Sequence, residues 1–382
     1  METTTTRQDL LIELQNICFK NNIPFVSFRS PQSNTIRTLL QLKNLPRELH
    51  TLRELNDLSG FIITPFFNKS RNTSFVLEPD VFVDAHDIDR NLIASLKDIR
   101  LYQTVEFLNG KEIYVAQKKE FIRLVKEIQE EIRSGRIKKA VLSRIHIEPK
   151  NARFEISRLF TELCKKYPDA FVYVFQIPRA GCWIGATPEP LVLIKNHQVE
   201  TISLAGTRKL SEVPPEEIQW PFKEIEEQEI VTQYIENVLL SFNVKDFQKA
   251  GPFTQIAGNL VHLKTRFLFD EESIGYRLGE FVGMLHPTPS ICGSPKDVSF
   301  EILEEIEPHQ REYYAGLLGP VNMDNETSLY VNLRCMKVLK DKFALYLGAG
   351  ITSGSVPESE WEETNQKKMT LLSVIEKLNH IR

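Results

Sequence analysis

The amino-acid sequence predicts an α+β fold in which antiparallel sheets carry helices on their outer side. Strand-like runs rich in β-branched and aromatic residues recur along the chain, and helical stripes separate only some of them. Neighbouring runs are often joined by tight turns, which favours antiparallel pairing. The 382 residues can bury a substantial core, and no linker divides them, so we expect one domain over residues 1–382.

The predicted elements follow from apolar spacing. Apolar residues at 10–18 recur at helical intervals, and short strand-like runs follow at 61–63 and 75–77. A stripe from Phe121 to Ile132 predicts a helix that stops at Gly135. Further helices are expected at 153–166, 224–241, 272–283 and 359–379, and strands at 137–148, 171–177, 191–194, 199–204, 329–339 and 343–347.

Composition excludes several classes of protein. The net charge is −4, whereas nucleic-acid binders usually carry a basic face. The five cysteines are scattered, without zinc-site spacing or a disulfide pattern, which favours a reducing compartment. The threonine-rich start lacks the apolar core of a signal peptide, and no run approaches the ~20 apolar residues of a membrane span. We therefore expect a cytoplasmic protein that binds neither nucleic acid nor membrane.

Two residues are candidates for acid–base chemistry. Lys139 heads a strand face that is otherwise mostly apolar, and a desolvated lysine has a lowered pKa and can act as a base. Glu189 ends a turn at 185–189, where a carboxyl with a raised pKa could act as a general acid. Taken singly, a lysine that reaches solvent and a solvated turn glutamate are the more ordinary interpretations.

Two predicted helices carry glutamates one turn apart. Glu224 and Glu227 lie on one helix, and Glu360, Glu363 and Lys367 share a face of the last helix. Brought together, these carboxylates would form an all-oxygen site suited to Mg²⁺. Two solvated acidic faces are the alternative, because charge runs usually face water.

Small residues mark candidate ligand contacts. Gly206 and Thr207 follow a predicted strand, where glycine permits close backbone approach to a ligand. The glycines of 348–350 are expected to form a loop that offers amides to a carboxylate. The strand before that loop carries Arg334, which can bind a carboxylate through two hydrogen bonds. Tyr314 lies in a further small-residue context. Each of these features is weak evidence by itself.

Taken in order, these segments resemble the chorismate-utilising enzymes, a family that includes isochorismate, salicylate, anthranilate and aminodeoxychorismate synthases. The resemblance runs from about residue 135 to residue 374, and residues 1–115 match only loosely. It is carried by residues 139–144, 185–189, 204–207, 261–263, 286–289, 311–316, 348–350 and 360–364 together with Lys367.

The resemblance implies two large antiparallel β-sheets layered with outer helices, and Mg²⁺ at the ring carboxylate of chorismate. By motif, Glu227 and Glu363 look like direct metal ligands, with Glu224 and Glu360 in supporting or water-mediated positions. The remaining implied contacts are to the substrate: the enolpyruvyl carboxylate at Tyr314, Arg334, Gly350 and Lys367, the ring carboxylate at Gly206 and Thr207, and the ring at His262.

Two positions discriminate within this family. Aminating members typically have glutamine where Lys139 stands, and water, unlike ammonia, needs a base to become a nucleophile. Aminodeoxychorismate synthases often have a nucleophilic lysine where this chain has Ala205. The residues at 286–289 also resemble the corresponding segment of isochorismate synthases. Glu224 and Gln228 depart from the more frequent aspartate and histidine, which puts metal affinity in question.

The sequence therefore predicts an isochorismate synthase, an isomerase in which Lys139 activates water for attack at C2 and Glu189 protonates the hydroxyl leaving C4. A salicylate synthase, which also expels pyruvate, and a non-catalytic chorismate-binding protein are the alternatives. A monomer without an amidotransferase subunit is expected. Both menaquinone and siderophore biosynthesis stay open as the pathway.

Overall fold

Within the residues that the structure describes, two nine-stranded antiparallel sheets form the centre of the protein, in agreement with the predicted α+β class. The computed structural model describes residues 6–66, 73–99, 113–210, 212–258 and 260–380. The first five residues of the threonine-rich start lie outside these ranges. The predicted fold, two large antiparallel sheets with outer helices, is confirmed.

The strands, in chain order, are β1 Phe25–Arg29, β2 Arg37–Leu40, β3 Arg47–Leu49, β4 Gly60–Ile63, β5 Ser74–Leu77, β6 Val81–Asp84, β7 Lys139–Pro149, β8 Phe171–Ile177, β9 Gly181–Thr187, β10 Pro190–Lys195, β11 Gln198–Lys209, β12 Gln248–Ala257, β13 Leu260–Asp270, β14 Gly293–Ser294, β15 Leu317–Val321, β16 Thr327–Val331, β17 Cys335–Val338 and β18 Lys342–Ile351. The helices are α1 Arg7–Asn21, α2 Arg90–Leu96, α3 Lys118–Arg133, α4 Ile156–Lys166, α5 Phe222–Ser241, α6 Leu278–Leu285, α7 Lys296–Ile306 and α8 Pro357–His380.

The first sheet has the strand order β14-β7-β18-β17-β9-β8-β1-β2-β6, and the second has the order β12-β13-β11-β10-β16-β15-β4-β5-β3. Aromatic residues join the two sheets face to face. Phe171 of the first sheet stacks on Tyr330 of the second, with ring centroids 4.2 Å apart. Phe28 and Phe61 make a similar contact at 5.4 Å. A second apolar cluster lies between the first sheet and helices α1, α4 and α8.

Three local predictions were wrong. The run at 329–339 is two strands in different sheets, because the chain leaves the strand conformation at residues 332–334. The helix expected at 272–283 is a single 3₁₀ turn followed by α6, separated by Gly275 at φ 53°. The glycines at 348–350 do not form a loop, since they lie inside β18.

The state of the cysteines and the character of the helices can be read from the structure. All five cysteines are free and buried. Among the described residues, no helix is both long and apolar enough to pass through a bilayer.

Candidate active site

The candidate site lies where the chain passes twice between the two sheets. One passage follows β9 and holds Glu189; the other follows β16 and holds Arg334. The two passages are bonded to each other: the Val331 amide donates to the Glu189 carbonyl at 3.0 Å, and the Ala186 amide donates to the Arg334 carbonyl at 3.1 Å. Residues far apart in sequence are thereby fixed side by side. Arg334 has φ 48°, an uncommon conformation for a side chain other than glycine.

A cavity at this point collects most of the predicted site residues. Its free volume is about 70 Å³, small beside the ~300–1,000 Å³ of usual ligand pockets. The predicted residues that line it are Glu189, Gly206, Thr207, Glu227, His262, Tyr314, Arg334, Gly350 and Lys367. Lys139, Glu224, Glu360 and Glu363 are not part of this lining, but Lys139 pairs with Glu227 and Glu363 pairs with Lys367, both of which line the cavity.

Lys139 is fully buried, so the interpretation as a solvent-reaching lysine was wrong. Its ammonium lies 2.8 Å from Oε1 of Glu227. Gly350 makes room for this pair, because a Cβ at that position would lie 2.4 Å from Glu227 Oε1 and 3.2 Å from Lys139 Cε. The Lys139 carbonyl accepts a hydrogen bond from Ser299 Oγ at 3.1 Å, which helps to fix the first residue of β7.

Glu189 is also buried, with 5% of its surface exposed. Burial raises the pKa of its carboxyl to about 8, although the charges of Lys139, Lys367 and Arg334 oppose the shift. The carboxyl is therefore largely protonated at neutral pH and can donate a proton to a bound molecule. The interpretation as a solvated turn glutamate was wrong.

Each of the four glutamates of α5 and α8 either lies near a lysine or has a carboxylate oxygen without a hydrogen-bond partner among the described residues. Lys223 on α5 lies 2.7 Å from Oε1 of Glu360 on α8, so an ion pair joins the two helices. Lys367 pairs with Glu363 at 2.7 Å. The second buried oxygen of Glu360, and Oε2 of Glu224, have no hydrogen-bond partner in the described part of the chain.

The electrostatic balance differs among these carboxyls. Burial, assisted by the charge of Glu363, raises the pKa of Glu360 to about 7 against the opposing charge of Lys223. Burial also acts to raise the pKa of Glu227, but Lys139 and Lys223 outweigh it and hold that pKa below its ordinary value. A cluster of buried carboxylates that relies on lysines for compensation has the donor chemistry to accept a cation.

The glutamates fit a divalent cation by donor type, since all offer oxygen and two buried oxygens lack partners. Three of them, Glu227, Glu360 and Glu363, are paired with lysines, and the four carboxylates do not meet at one point. Among the described residues, the group that does bring three ligand atoms within 4.8 Å of one another is Asp84, His86 and Asp87. That group does not line the cavity, and two of its members are exposed.

Gly206 and Thr207 form a β-bulge opposite His262. The register of β11 on β13 slips there, so that two residues face one, and Gly206 has φ 64°. His262 Nδ1 lies 2.8 Å from the Gly206 carbonyl, which can only accept, so Nδ1 carries the proton. Burial lowers the pKa of His262 to about 3 and keeps the ring neutral. Its buried Nε2 has no partner among the described residues and offers a lone pair.

Arg334, Tyr314 and Lys367 form a polar end of the cavity. The Arg334 guanidinium makes no hydrogen bond or ion pair with any described residue, and burial lowers its pKa to about 10, so it stays charged at neutral pH. Lys367 donates to the Gly348 carbonyl at 2.8 Å. Beyond Leu345, β18 is not paired with β17 among the described residues, so the Gly348 carbonyl is open to this contact. A carboxylate would find donors here.

Sequence reasoning missed two residues of this site. Lys223 bridges the acidic helices, and its place one residue before Glu224 was the available signal. Ser290 lines the cavity and donates to the Leu204 carbonyl at 2.9 Å. It directly follows the 286–289 segment that the sequence analysis used as a discriminator.

Comparison with known proteins agrees with this geometry. Residues 68–376 match the sequence profile described as "Chorismate binding enzyme". Anthranilate synthase component 1 of Bacillus pumilus is 28% identical over 278 residues, which cover 69% of this chain and 52% of that protein. Isochorismate synthase EntC of Escherichia coli (strain K12) is 30% identical over 244 residues, which cover 62% of each chain. The matched regions thus span less than two thirds of either relative.

A solved structure shares the fold over nearly the whole chain. It is a Bacillus anthracis protein assigned as a 2,3-dihydroxybenzoate-specific isochorismate synthase, DhbC, with a TM-score of 0.77 and 23% identity. The superposition covers 97% of this chain and 99% of that one. Because the family profile spans most of the sequence and the same fold recurs in this structure, the chain belongs to the chorismate-binding enzyme family.

Proposed function

We propose that the protein is an isochorismate synthase that requires Mg²⁺. The observation that carries the proposal is the burial of a protonated Glu189 in the cavity lining together with that of Lys139, which pairs with Glu227 of the same lining. A reaction that exchanges a hydroxyl between two ring carbons needs a base for the incoming water and an acid for the departing hydroxyl. These two residues supply one of each.

The proposed steps balance without an external reagent. Lys139, once neutral, takes a proton from water as the water oxygen bonds to ring carbon C2. The ring double bonds shift, the C4–O bond breaks, and the Glu189 carboxyl protonates the leaving hydroxyl, which departs as water. One water molecule enters and one leaves, so the reaction is an isomerisation.

The proposed role of Lys139 depends on its partner Glu227, whose Oε1 lies 2.8 Å from the Lys139 nitrogen. Glu224, on the same helix as Glu227, has a buried oxygen without a partner among the described residues. A bound Mg²⁺ would be held by the carboxylates of Glu224, Glu227, Glu360 and Glu363 and would supply positive charge for the ring carboxylate of the substrate. Lys139 would remain beside this site as the base for water.

The other residues position the substrate. Arg334 and Lys367 offer positive charge to the enolpyruvyl carboxylate, with the Tyr314 hydroxyl beside them. The bulge at Gly206 and Thr207 brings backbone and a hydroxyl to the ring carboxylate. Two lysine–glutamate pairs, Lys139–Glu227 and Lys367–Glu363, lie beside the cavity, and we expect them to exchange for contacts with the metal and the substrate.

Lys139 and Ala205 favour isochorismate over an aminated product. Water needs the base that Lys139 provides, and alanine at 205 cannot form a covalent bond to the substrate. The similarity to an anthranilate synthase is nearly as high as that to EntC, so overall identity does not separate the two activities. The protein is proposed to act without an amidotransferase subunit, as a monomer. The product feeds menaquinone or siderophore biosynthesis.

Product analysis tests the proposal. Purified protein is incubated with chorismate and Mg²⁺, with a metal-free control, and the products are separated by chromatography while pyruvate is assayed. Isochorismate without pyruvate, formed only when Mg²⁺ is present, is the expected result. Salicylate with equimolar pyruvate would assign a salicylate synthase, anthranilate formed with added ammonia would assign an aminating enzyme, and unchanged chorismate would favour a binding protein.

A further inference from the structure

We propose that Arg144 is a positioning residue that sets the metal affinity of the site by fixing helix α8 against strand β7. This inference rests on the proposed function, since it assigns α8 to the Mg²⁺ site. Arg144 is not part of the cavity lining, and its side-chain hydrogen bonds go to none of the four glutamates. Its side chain instead contacts Trp361, Thr364 and Asn365 of α8, which are neighbours of Glu360 and Glu363 in sequence.

The contacts of Arg144 extend over more than one turn of α8. Arg144 Nε donates to Thr364 Oγ1 at 2.7 Å, and Nη2 donates to Asn365 Oδ1 at 2.8 Å. The guanidinium carbon lies 4.0 Å from the ring centroid of Trp361, a cation–π contact. Trp361 packs in turn against Phe121 of α3, with ring centroids 5.6 Å apart. The helix is thus held from two directions.

These contacts constrain the rotation of α8 about its axis. Trp361 directly follows Glu360, and Thr364 directly follows Glu363. Each residue turns an α-helix by about 100°, so each glutamate points about 100° around the helix from a residue that Arg144 contacts. If α8 rotates, both glutamates swing away from α5 together. Arg144 opposes that rotation because its planar fork and its stacking on Trp361 both depend on direction.

Packing alone does not account for an arginine here. Only 2% of Arg144 is exposed, and none of its contacts within the described residues is an ion pair. Burial lowers its pKa to about 10, and the charge of Glu362 acts in the opposite direction. An apolar side chain would fill this space without the cost of desolvating a charge. The directional hydrogen bonds are what arginine adds.

Arg144 also connects the two parts of the proposed chemistry. It lies on β7, the strand that begins with Lys139. The proposed metal-binding carboxylates of α8 are therefore positioned by the same strand that carries the proposed base. A metal ligand set needs placement to within ~0.5 Å, and losing an outer contact of such a set typically weakens metal binding by about 10–100-fold.

The test measures metal binding directly. Mn²⁺ is titrated into the full-length protein and its free concentration is followed by electron paramagnetic resonance, without substrate. The variants are Arg144→Met and Arg144→Lys, which keep an unbranched apolar stem but lose the planar guanidinium fork, and Thr364→Val, which removes one acceptor. Arg29→Met is the matched control: Arg29 is a buried arginine bonded to backbone carbonyls, such as those of Tyr167 and Ala170, and belongs to no proposed ligand set.

We expect both Arg144 variants to weaken Mn²⁺ binding by about 10–100-fold and Thr364→Val to weaken it by less. Turnover at saturating Mg²⁺ should recover toward that of the unaltered protein. Arg29→Met should lower the melting temperature and leave Mn²⁺ binding unchanged. If Arg144→Met fails to fold, Thr364→Val and Arg144→Lys decide the question.

Two results overturn the inference in different ways. If the folded Arg144 variants bind Mn²⁺ as tightly as the unaltered protein and lose only thermal stability, Arg144 has a packing role and the proposed function stands. If the unaltered protein itself binds no Mn²⁺, the metal part of the proposed function fails, and the inference fails with it.

Discussion

Replacing Lys139 by methionine removes the proposed base but keeps most of the buried volume that the side chain fills. Methionine is of similar length and lacks the ammonium, so the surrounding packing is largely kept. The lost group is the proposed base, and removing a general base typically lowers turnover by about 10²–10⁴-fold. We expect a loss in that range in kcat with Mg²⁺ present, because the step that needs the base is the chemical one.

The same substitution leaves Glu227 buried without its nearest cation. Breaking a buried pair by removing one partner costs about 3–5 kcal/mol. The Glu227 side chain is 12% exposed, and the charge of Lys223 also acts on it. We therefore expect a loss at the lower end, about 3 kcal/mol of unfolding free energy in urea. Added Mg²⁺ should restore part of this stability, because Glu227 then gains another cation.

A matched control distinguishes lost chemistry from lost stability. Lys337→Met removes another buried lysine, whose partner Glu312 lies 2.5 Å away and outside the cavity lining. Both variants are assayed for isochorismate after circular dichroism has shown that they are folded. Lys337→Met should lose stability and keep turnover. Near-normal turnover by Lys139→Met would refute the assignment of Lys139 as the base.

The remaining predictions concern the acid, the space around the ion pair and the carboxylate contact. The kcat/KM should fall as pH rises through about 8, because burial raises the pKa of Glu189 to that value and only its protonated form can donate; a profile that is flat across this pH would contradict the role, and Glu189→Gln should lose about 10²–10⁴-fold in turnover. Gly350→Ala should abolish activity because the added Cβ would lie 2.4 Å from Glu227 Oε1, whereas Gly354→Ala, with its nearest atoms 3.9 Å away, should be active. Arg334→Lys should raise KM by about 10–100-fold, since lysine cannot make two parallel hydrogen bonds to a carboxylate; an unchanged KM in steady-state assays would exclude this contact.

The local sequence pattern was sufficient to predict elements that an amphipathic stripe defines. Apolar spacing predicted α3, α4, α5 and α8 to within a few residues, because an amphipathic stripe fixes both the element and its buried face. It failed at 329–339, where the residues on both sides of Arg334 favour strands equally. Nothing in such a run says that the chain changes sheets, since that depends on partners distant in sequence.

The same division applies to the candidate site. The sequence by itself, through ordered motifs, determined the family and predicted most of the polar residues that line the cavity, including Glu189 and Glu227, together with Lys139 beside them. It left open whether Lys139 and Glu189 face water or the interior, and only the tertiary structure decided that both are buried. The physical reason is that desolvation and charge pairing depend on what surrounds a group in space. Glu189 is held beside Arg334, 145 positions further along in the printed sequence, by hydrogen bonds between two sheet crossings that no local pattern encodes.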